Sequence, residues 1–277
     1  MNIIGLGKVG CNIADHFGNY PQYNIYKIDR NIEGKRCYSL PDLQEPEEYE
    51  EFNPKTGNFF KGLKGEVLFI LSGASIVSGA SLRLLQQIHN KNIPTTILYI
   101  EPEIELLSEK KQLQERVVRN VLQQYARSGL FKKMFMVQNQ SIEKMLGDVP
   151  ILKYFQSLNQ FLVSTIHLLN VFENSESVTD TFSSQSDTAR ICTFGTIIDQ
   201  KSETLFYPLD EVREIRYYFG VPKEVLENQS TLYRDIVNMV KSKISGKLRA
   251  SYGIYETSYE EIITYGIYYS SQIQEKS

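Results

Sequence analysis

MNIIGLGKVGCNIADHF (residues 1–17), followed after a short break by NIYKID (residues 24–29), is the stretch on which the fold turns. Residues 2–4 are apolar and run straight into Gly5, Gly7 and Gly10, after which Val9, Ile13, Ala14 and Phe17 recur at helical spacing. A strand that passes into a helix through G-x-G-x-x-G brings backbone amides and a helix N-terminus within reach of an anion, because glycine leaves the approach open. A phosphate-bearing nucleotide is the ligand class this pattern implies. The same glycines would also serve a tight turn and close helix packing with no ligand present. Asp29, at the end of the second strand, stands where a Rossmann dehydrogenase holds a ribose hydroxyl, so an NAD-dependent oxidoreductase is one reading of these residues. Against it, no His or Lys constellation completes such an enzyme.

Outward from this stretch the chain keeps alternating. A buried strand at 66–71 leads through SGASIVSGAS (72–81) into a helix carrying Leu82, Leu85 and Ile88, and 94–100 is a further strand. A helix over 105–127, a strand at 133–137 and a long helix from about 150 to 172 follow. Repeated βα units predict an α/β fold with a parallel, doubly wound sheet. The segment 31–60, with three prolines and the run EPEEYEE, reads as irregular connection whose acidic residues form a solvated face. After Glu173 the stretch ENSESVTDTFSSQSD loses apolar content, and beyond it strands at 190–198 and 211–219, a helix near 231–245 and alternating segments at 250–256 and 261–270 predict a smaller α+β unit. The expected divisions are a nucleotide domain at 1–148, a core helix at 149–173, a linker at 174–189 and a C-terminal domain at 190–277.

Composition narrows the function. Thirty basic residues against thirty-three acidic ones give a net charge of −3, without the basic stripe that neutralises a nucleic-acid backbone. Direct contact with nucleic acid is therefore not expected. Cys11, Cys37 and Cys192 are odd in number and lack a C-x-x-C spacing, which argues against disulfides and zinc and fits a cytoplasmic protein. No apolar run reaches the roughly 18 residues of a membrane span, and no basic segment precedes the first strand. His16, His89 and His167 have no partner at ligand spacing, so no protein-held metal is expected.

The residues in chain order resemble the FtsZ/tubulin family over nearly the whole length. GLGKVGCNIA is similar to that family's first loop, G-x-G-x-x-G-x-N, with Cys11 and Asn12 following Gly10. The stretch 72–81 occupies the place of its G-G-G-T-G-[TS]-G loop: Gly73 stands for an early glycine and Ser78-Gly79 match the last two positions, whereas Ala74, Ser75, Ile76 and Val77 replace the other glycines. Strand 95–100 followed by Glu101-Pro102 is similar to the family's ribose-side loop, where Glu105 resembles its glutamate. MFMVQNQSIEKM places Asn139 where FtsZ has an asparagine beside the nucleotide. YFQSLNQFL is similar to [AY]-F-x-x-A-[ND]-x-[VL]-L, with Phe155 and Asn159 four residues apart and so on one helical face. The last third, where two strands follow a helix, resembles the family's second domain.

The resemblance implies a tubulin/FtsZ-like fold with a Rossmann-type parallel-sheet nucleotide domain, a long core helix and a smaller α+β C-terminal domain. It further implies that GTP or GDP, with Mg2+, is held by Gly5, Gly7, Gly10, Cys11, Asn12, Gly73, Ser78, Gly79, Glu105, Asn139, Phe155 and Asn159. Phe155 would stack on the base, and Asn159 would pair with the donor and acceptor edge of guanine. Copies of the chain would polymerise head-to-tail, Asp180 or Asp187 of one subunit completing the GTPase site of the next. A divergent, phage- or plasmid-borne member is expected. The altered 72–81 loop and the missing N-x-D-x-x-D pattern motivate a second possibility, a tubulin-like structural homologue that has lost hydrolysis or binding. Residue by residue, each of these positions also has a plainer role open to it, as turn, core or solvated surface.

Overall fold

The computed structural model describes residues 1–184, 187–198 and 202–275. The chain divides into two compact units, Met1–Val163 and Ser164–Ser277, the division falling inside a long helix.

The first unit is built from β1 (Asn2–Leu6), α1 (Gly7–Phe17), β2 (Asn24–Arg30), β3 (Cys37–Leu40), α2 (Pro46–Glu51), β4 (Val67–Leu71), α3 (Ser81–His89), β5 (Thr95–Glu101), α4 (Glu109–Arg127), β6 (Lys133–Gln138), α5 (Asn139–Leu146) and the first half of α6 (Tyr154–Glu173). Its strands pair in the order β3-β2-β1-β4-β5-β6, every neighbour parallel. β1 and β4 are buried along their entire length, as strands covered by helices on both faces must be. This order reverses direction between β1 and β4, and in open parallel sheets ligands bind beyond the carboxyl ends of the strands at such a switch point. The two loops that flank it are the turn into α1 and residues 72–80.

α1 lies unusually close to the sheet. A Cβ on Gly10 would strike the carbonyl oxygen of Ile70 on β4, and one on Gly5 would strike the backbone of Gly10 and Cys11. Two of the three glycines of the opening motif are thus required by helix-on-strand packing. Cys11 reinforces the seam: its buried Sγ lies 3.4 Å from the Gly5 carbonyl oxygen and 3.6 Å from that of Ile28, which share its one S–H.

The segment 31–60 departs from the expectation of irregular connection. It holds β3 and α2, and the acidic run is not wholly a solvated face, since Pro46 and Tyr49 are buried. α2 starts at Pro46 with a reciprocal capping arrangement of Glu45 and Glu48, and the Tyr49 hydroxyl donates to the Pro41 carbonyl at 2.6 Å. A helix of six residues is too short to display a period, so its caps were the readable signal. The helix expected from 105 begins at Glu109, after a 3-10 turn at Ile104–Leu106.

The second unit carries the end of α6, β7 (Thr179–Asp180), β8 (Ile191–Ile198), β9 (Ser202–Leu205), β10 (Val212–Pro222), α7 (Lys223–Asn228), α8 (Leu232–Lys243), β11 (Arg249–Thr257) and β12 (Ile263–Ser270). Strand order is β9-β8-β12-β10-β11-β7, antiparallel except for β10 and β11, which α7 and α8 connect. The tyrosine-rich strands form its core: Tyr217, Tyr218 and Tyr269 are buried, and Phe172 and Tyr255 stack at 4.8 Å. In this unit the short β7, β9 and α7 depart from expectation, as do β3, α2 and α5 in the first. No described helix is long and apolar enough to cross a membrane.

Because the seam between α1 and the sheet has no space for a methyl group, Gly10→Ala is expected to lower unfolding free energy by about 1–3 kcal/mol. Urea denaturation checks this, and an unchanged midpoint would mean that α1 can lift from β4 without cost.

Candidate functional site

Gly7 is the glycine of the opening motif that the backbone itself requires. Its φ of 69° lies in the left-handed region, and it is the first residue of α1. No side chain caps this helix, and its first turn holds no acidic residue, so the amides there meet no competing protein anion. A Cβ on Gly7 would come within 2.9 Å of Val77 Cγ2 and 3.2 Å of Ser75 Oγ. The turn into α1 and the loop after β4 therefore converge at the switch point.

That second loop runs from Ser72 into a 3-10 turn at Ile76–Ala80 and on into α3. None of its residues has a left-handed φ. Among the described residues, the backbone amides of Ser75, Ile76 and Val77 make no backbone hydrogen bond outside regular structure, and neither the 3-10 turn nor α3 has an acidic residue in its first turn. Ser78 is buried, its hydroxyl donating to the Gly73 carbonyl at 2.7 Å. Gly73 is packed against the Tyr99 hydroxyl and the backbone of Glu115, and Gly79 against the Pro46 carbonyl. The side of the loop that bears Ser78 and Gly79 thus faces the protein interior, and the segment from Ala74 to Ile76 is the more exposed part.

Beneath the loop sits a buried polar group that the sequence reading passed over. The Tyr99 hydroxyl and Arg119 Nε both donate to Glu115 Oε1, each at 2.9 Å. Burial pushes the Glu115 carboxyl up and the Tyr99 hydroxyl well above its ordinary value, while the Arg119 guanidinium acts in the opposite direction on both. Glu115 and Arg119 are four residues apart on α4, a spacing visible in the sequence as an i,i+4 pair. Burial was the missing part of that signal.

The remaining residues named from the sequence lie on α1, in the 3-10 turn after β5, at the start of α5 and in the first half of α6. Asn12 is exposed on α1 and Cys11 is turned inward, burial pushing its thiol up to about 12. Glu105 is exposed in the 3-10 turn after β5. Asn139, half-buried, opens α5 directly after Gln138, whose side-chain amide donates to Glu101. His16 Nδ1 and Gln160 Oε1 are 3.3 Å apart, which seats the first half of α6 beside α1, with Asn12 one turn back along α1. Phe155 is 65% exposed and meets Tyr154 edge-on at 5.1 Å, and Asn159 is half-buried one turn further. Tyr154 donates to Glu143 Oε2 at 2.8 Å; burial, then Glu143, pushes its hydroxyl up to about 12, with the charge of Glu103 adding to the effect.

In the second unit, Asp180 lies at the end of β7. Its carboxylate accepts from Ser177 Oγ at 2.5 Å and from the Phe182 amide at 3.2 Å. Asp187 is exposed, 3.9 Å from the Arg190 guanidinium. Asp29 is half-buried and accepts from the Arg30 amide at 2.8 Å. Among the described residues, no three His, Cys, Asp or Glu side chains come together as a metal site would need.

No protein-family model matches the chain, and no curated protein matches it. Solved structures do. An empty FtsZ dimer from M. jannaschii superposes with a TM-score of 0.71 at 10% identity, over 98% of this chain and 88% of that one. TubZ of Bacillus thuringiensis serovar israelensis, in GDP-form protofilaments, gives 0.73 at 15% identity over 96% and 86%. The GDP-bound monomer of CetZ1 from Haloferax volcanii gives 0.67 at 13% identity over 98% and 94%. Likeness that spans both units with so few shared residues is likeness of fold, and with the strand order and its switch point it establishes that this chain has the tubulin/FtsZ fold.

Proposed function

We propose that this protein binds a guanine nucleotide at the carboxyl edge of its six-stranded parallel sheet and assembles head-to-tail with copies of itself. The observation that carries the reading is the meeting of two uncapped turns at the switch point, where Gly7 in its left-handed conformation leaves no space for a side chain beside Ser75 and Val77. Amides from both turns suit the phosphates of a nucleotide, and the absence of acidic side chains from both first turns leaves their partial positive charge uncompensated. Asn12 and Glu105 would serve the sugar and phosphate side, Asn139 and Asn159 the base edge, and Phe155 the base face. With no acidic cluster among the described residues, Mg2+ would arrive on the phosphates of the nucleotide, as hard cations with few protein ligands do, and would there neutralise their charge.

Support for assembly comes from apolar side chains left in water. Leu106 is 79% exposed, Ile151 90% and Leu152 95%, and together with Phe155 they occupy the loop after β5 and the entry to α6. Tyr154, between Leu152 and Phe155 in sequence, lies within range of the charge of Glu103 in that β5 loop. A group of this kind is characteristic of a surface covered by a partner. Head-to-tail contact at one such face builds an open filament. The solved relatives include a four-stranded helical TubZ filament, to which 17% of residues are identical. On this reading Asp180 or Asp187 of one copy orients a water at the nucleotide of the next.

A second reading, assembly without hydrolysis, is favoured by the aspartates themselves: Asp180 is engaged in its own turn by Ser177 and Phe182, and Asp187 lies near Arg190. Light scattering on addition of GTP with magnesium, with released phosphate followed in the same sample and ATP and GDP as controls, separates the two. A GTP-specific rise with phosphate release and decay identifies a dynamic filament, a rise without phosphate identifies the second reading, and the absence of both scattering and nucleotide uptake sinks the proposal.

Two variants sharpen this. Phe155→Ala is expected to weaken GTP binding by roughly 5- to 100-fold through lost stacking, measured by fluorescence titration with a labelled nucleotide. Ile151→Asp combined with Leu152→Asp is expected to abolish the scattering rise with nucleotide affinity retained, and loss of affinity instead would place those two residues in the pocket rather than at the interface.

A further inference from the structure

A loop that must hold several backbone amides toward one point needs something to fix its shape. In residues 72–80 glycine does not do so, because no residue there adopts a left-handed φ and both glycines are spent on close packing, Gly73 against Tyr99 and Glu115, Gly79 against Pro46. The fixing comes from α4. Gln114 Nε2 donates to the Ser75 carbonyl at 2.6 Å and to Ser78 Oγ at 3.0 Å. The Ser78 hydroxyl donates in turn to the Gly73 carbonyl, and the Ser78 amide closes on the Ser75 carbonyl at 2.9 Å. One side-chain amide therefore gathers Ser75 and Ser78, Ser78 holds Gly73 in turn, and the residue after Gln114, Glu115, presses on Gly73 from the same helix while hydrogen-bonded to Tyr99 and Arg119. The amides of Ser75, Ile76 and Val77, left without backbone partners outside regular structure, lie on the arc that this arrangement holds against Gly7.

We infer that Gln114 is the positioning residue of the nucleotide loop: by clamping Ser75 and Ser78 it presets the amides of 75–77 for a nucleotide's phosphate, a task that a glycine-rich backbone would otherwise leave to the ligand. The inference rests on the nucleotide-binding reading above. Preorganisation of this kind raises affinity by removing the ordering cost from the binding step. Gln114 itself is half-buried and its amide is consumed by the loop, so it has no donor left for a ligand at the same geometry.

The test uses the full chain. Hydrogen exchange of the nucleotide-free protein is compared for the unaltered chain, Gln114→Ala, Ser78→Ala and the double variant, and GTP affinity is titrated for each. Gln114→Ala is expected to speed exchange across 73–79 by roughly five- to tenfold, the scale of one net hydrogen bond, and to weaken GTP binding by a similar factor. Exchange in β10–β12 should stay unchanged, which shows that the fold is intact. The double variant should add little to either single one, because both break the same clamp. Unchanged exchange at 73–79 in Gln114→Ala overturns the clamp whatever happens to binding, and faster exchange with undiminished GTP affinity overturns its role in positioning. If the unaltered chain takes up no GTP while exchange still responds to Gln114→Ala, the nucleotide-binding reading has failed and the positioning role with it, and the loop clamp remains as a structural contact.

Discussion

The contact between the backbone of α1 and the ends of β1 and β4 is the constraint from which the first unit follows. Gly5 and Gly10 let helix and strands meet with nothing between them, and Cys11 adds a tie from α1 to β1 and β2, its thiol facing the carbonyls of Gly5 and Ile28. Because α1 is pressed onto the sheet at its very start, its N-terminus is held at the carboxyl edge beside the loop that leaves β4. A helix standing a side chain further out would leave those two turns apart, and the edge would be a surface rather than a cradle. Packing and ligand chemistry are therefore served by one motif, with the glycines divided between them: Gly5 and Gly10 for packing, Gly7 for the turn.

The loop after β4 resolves a different conflict. Its sequence, with Ala74, Ser75, Ile76 and Val77 in a row, is poor in the freedom that glycine gives a phosphate loop. Its backbone settles into conformations that any residue adopts, and the polar groups so generated are satisfied by Ser78 within the loop and Gln114 from α4. A side-chain clamp substitutes for backbone permissiveness. Its anchor is firm because α4 is itself held by the buried ion pair of Glu115 and Arg119 and by the Tyr99 hydroxyl that donates to the same carboxylate.

Legibility followed length and period. The alternating strands and helices of the first unit, the long α6 and the final strands β11 and β12 were readable because each buries a face over enough residues for a repeat to emerge. The tyrosines at 217, 218 and 269 signalled strands, and the structure uses them as core, with Tyr218 stacked near Phe172 and Tyr255. β3, α2, β7, β9 and α7 escaped because they span two to six residues, α5 because its eight residues bury only Ile142, and EPEEYEE concealed a buried Tyr49 behind its charge. That Phe155 and Asn159 share one helix was readable, since α6 is long and apolar. Gln114 was not, since its partners Ser75 and Ser78 are more than thirty residues away in sequence.

What the sequence by itself determined is the succession of the longer strands and helices and the identity of the turn into α1, because hydrophobic period and glycine placement are local properties written in consecutive residues. The strand order that reverses between β1 and β4, the inward rotation of Cys11 and Ser78, and the exposure of Ile151, Leu152 and Phe155 were decided by the tertiary structure. Each depends on which surfaces meet across long separations of chain, and burial of a side chain is a property of its neighbours in space rather than of its neighbours in sequence.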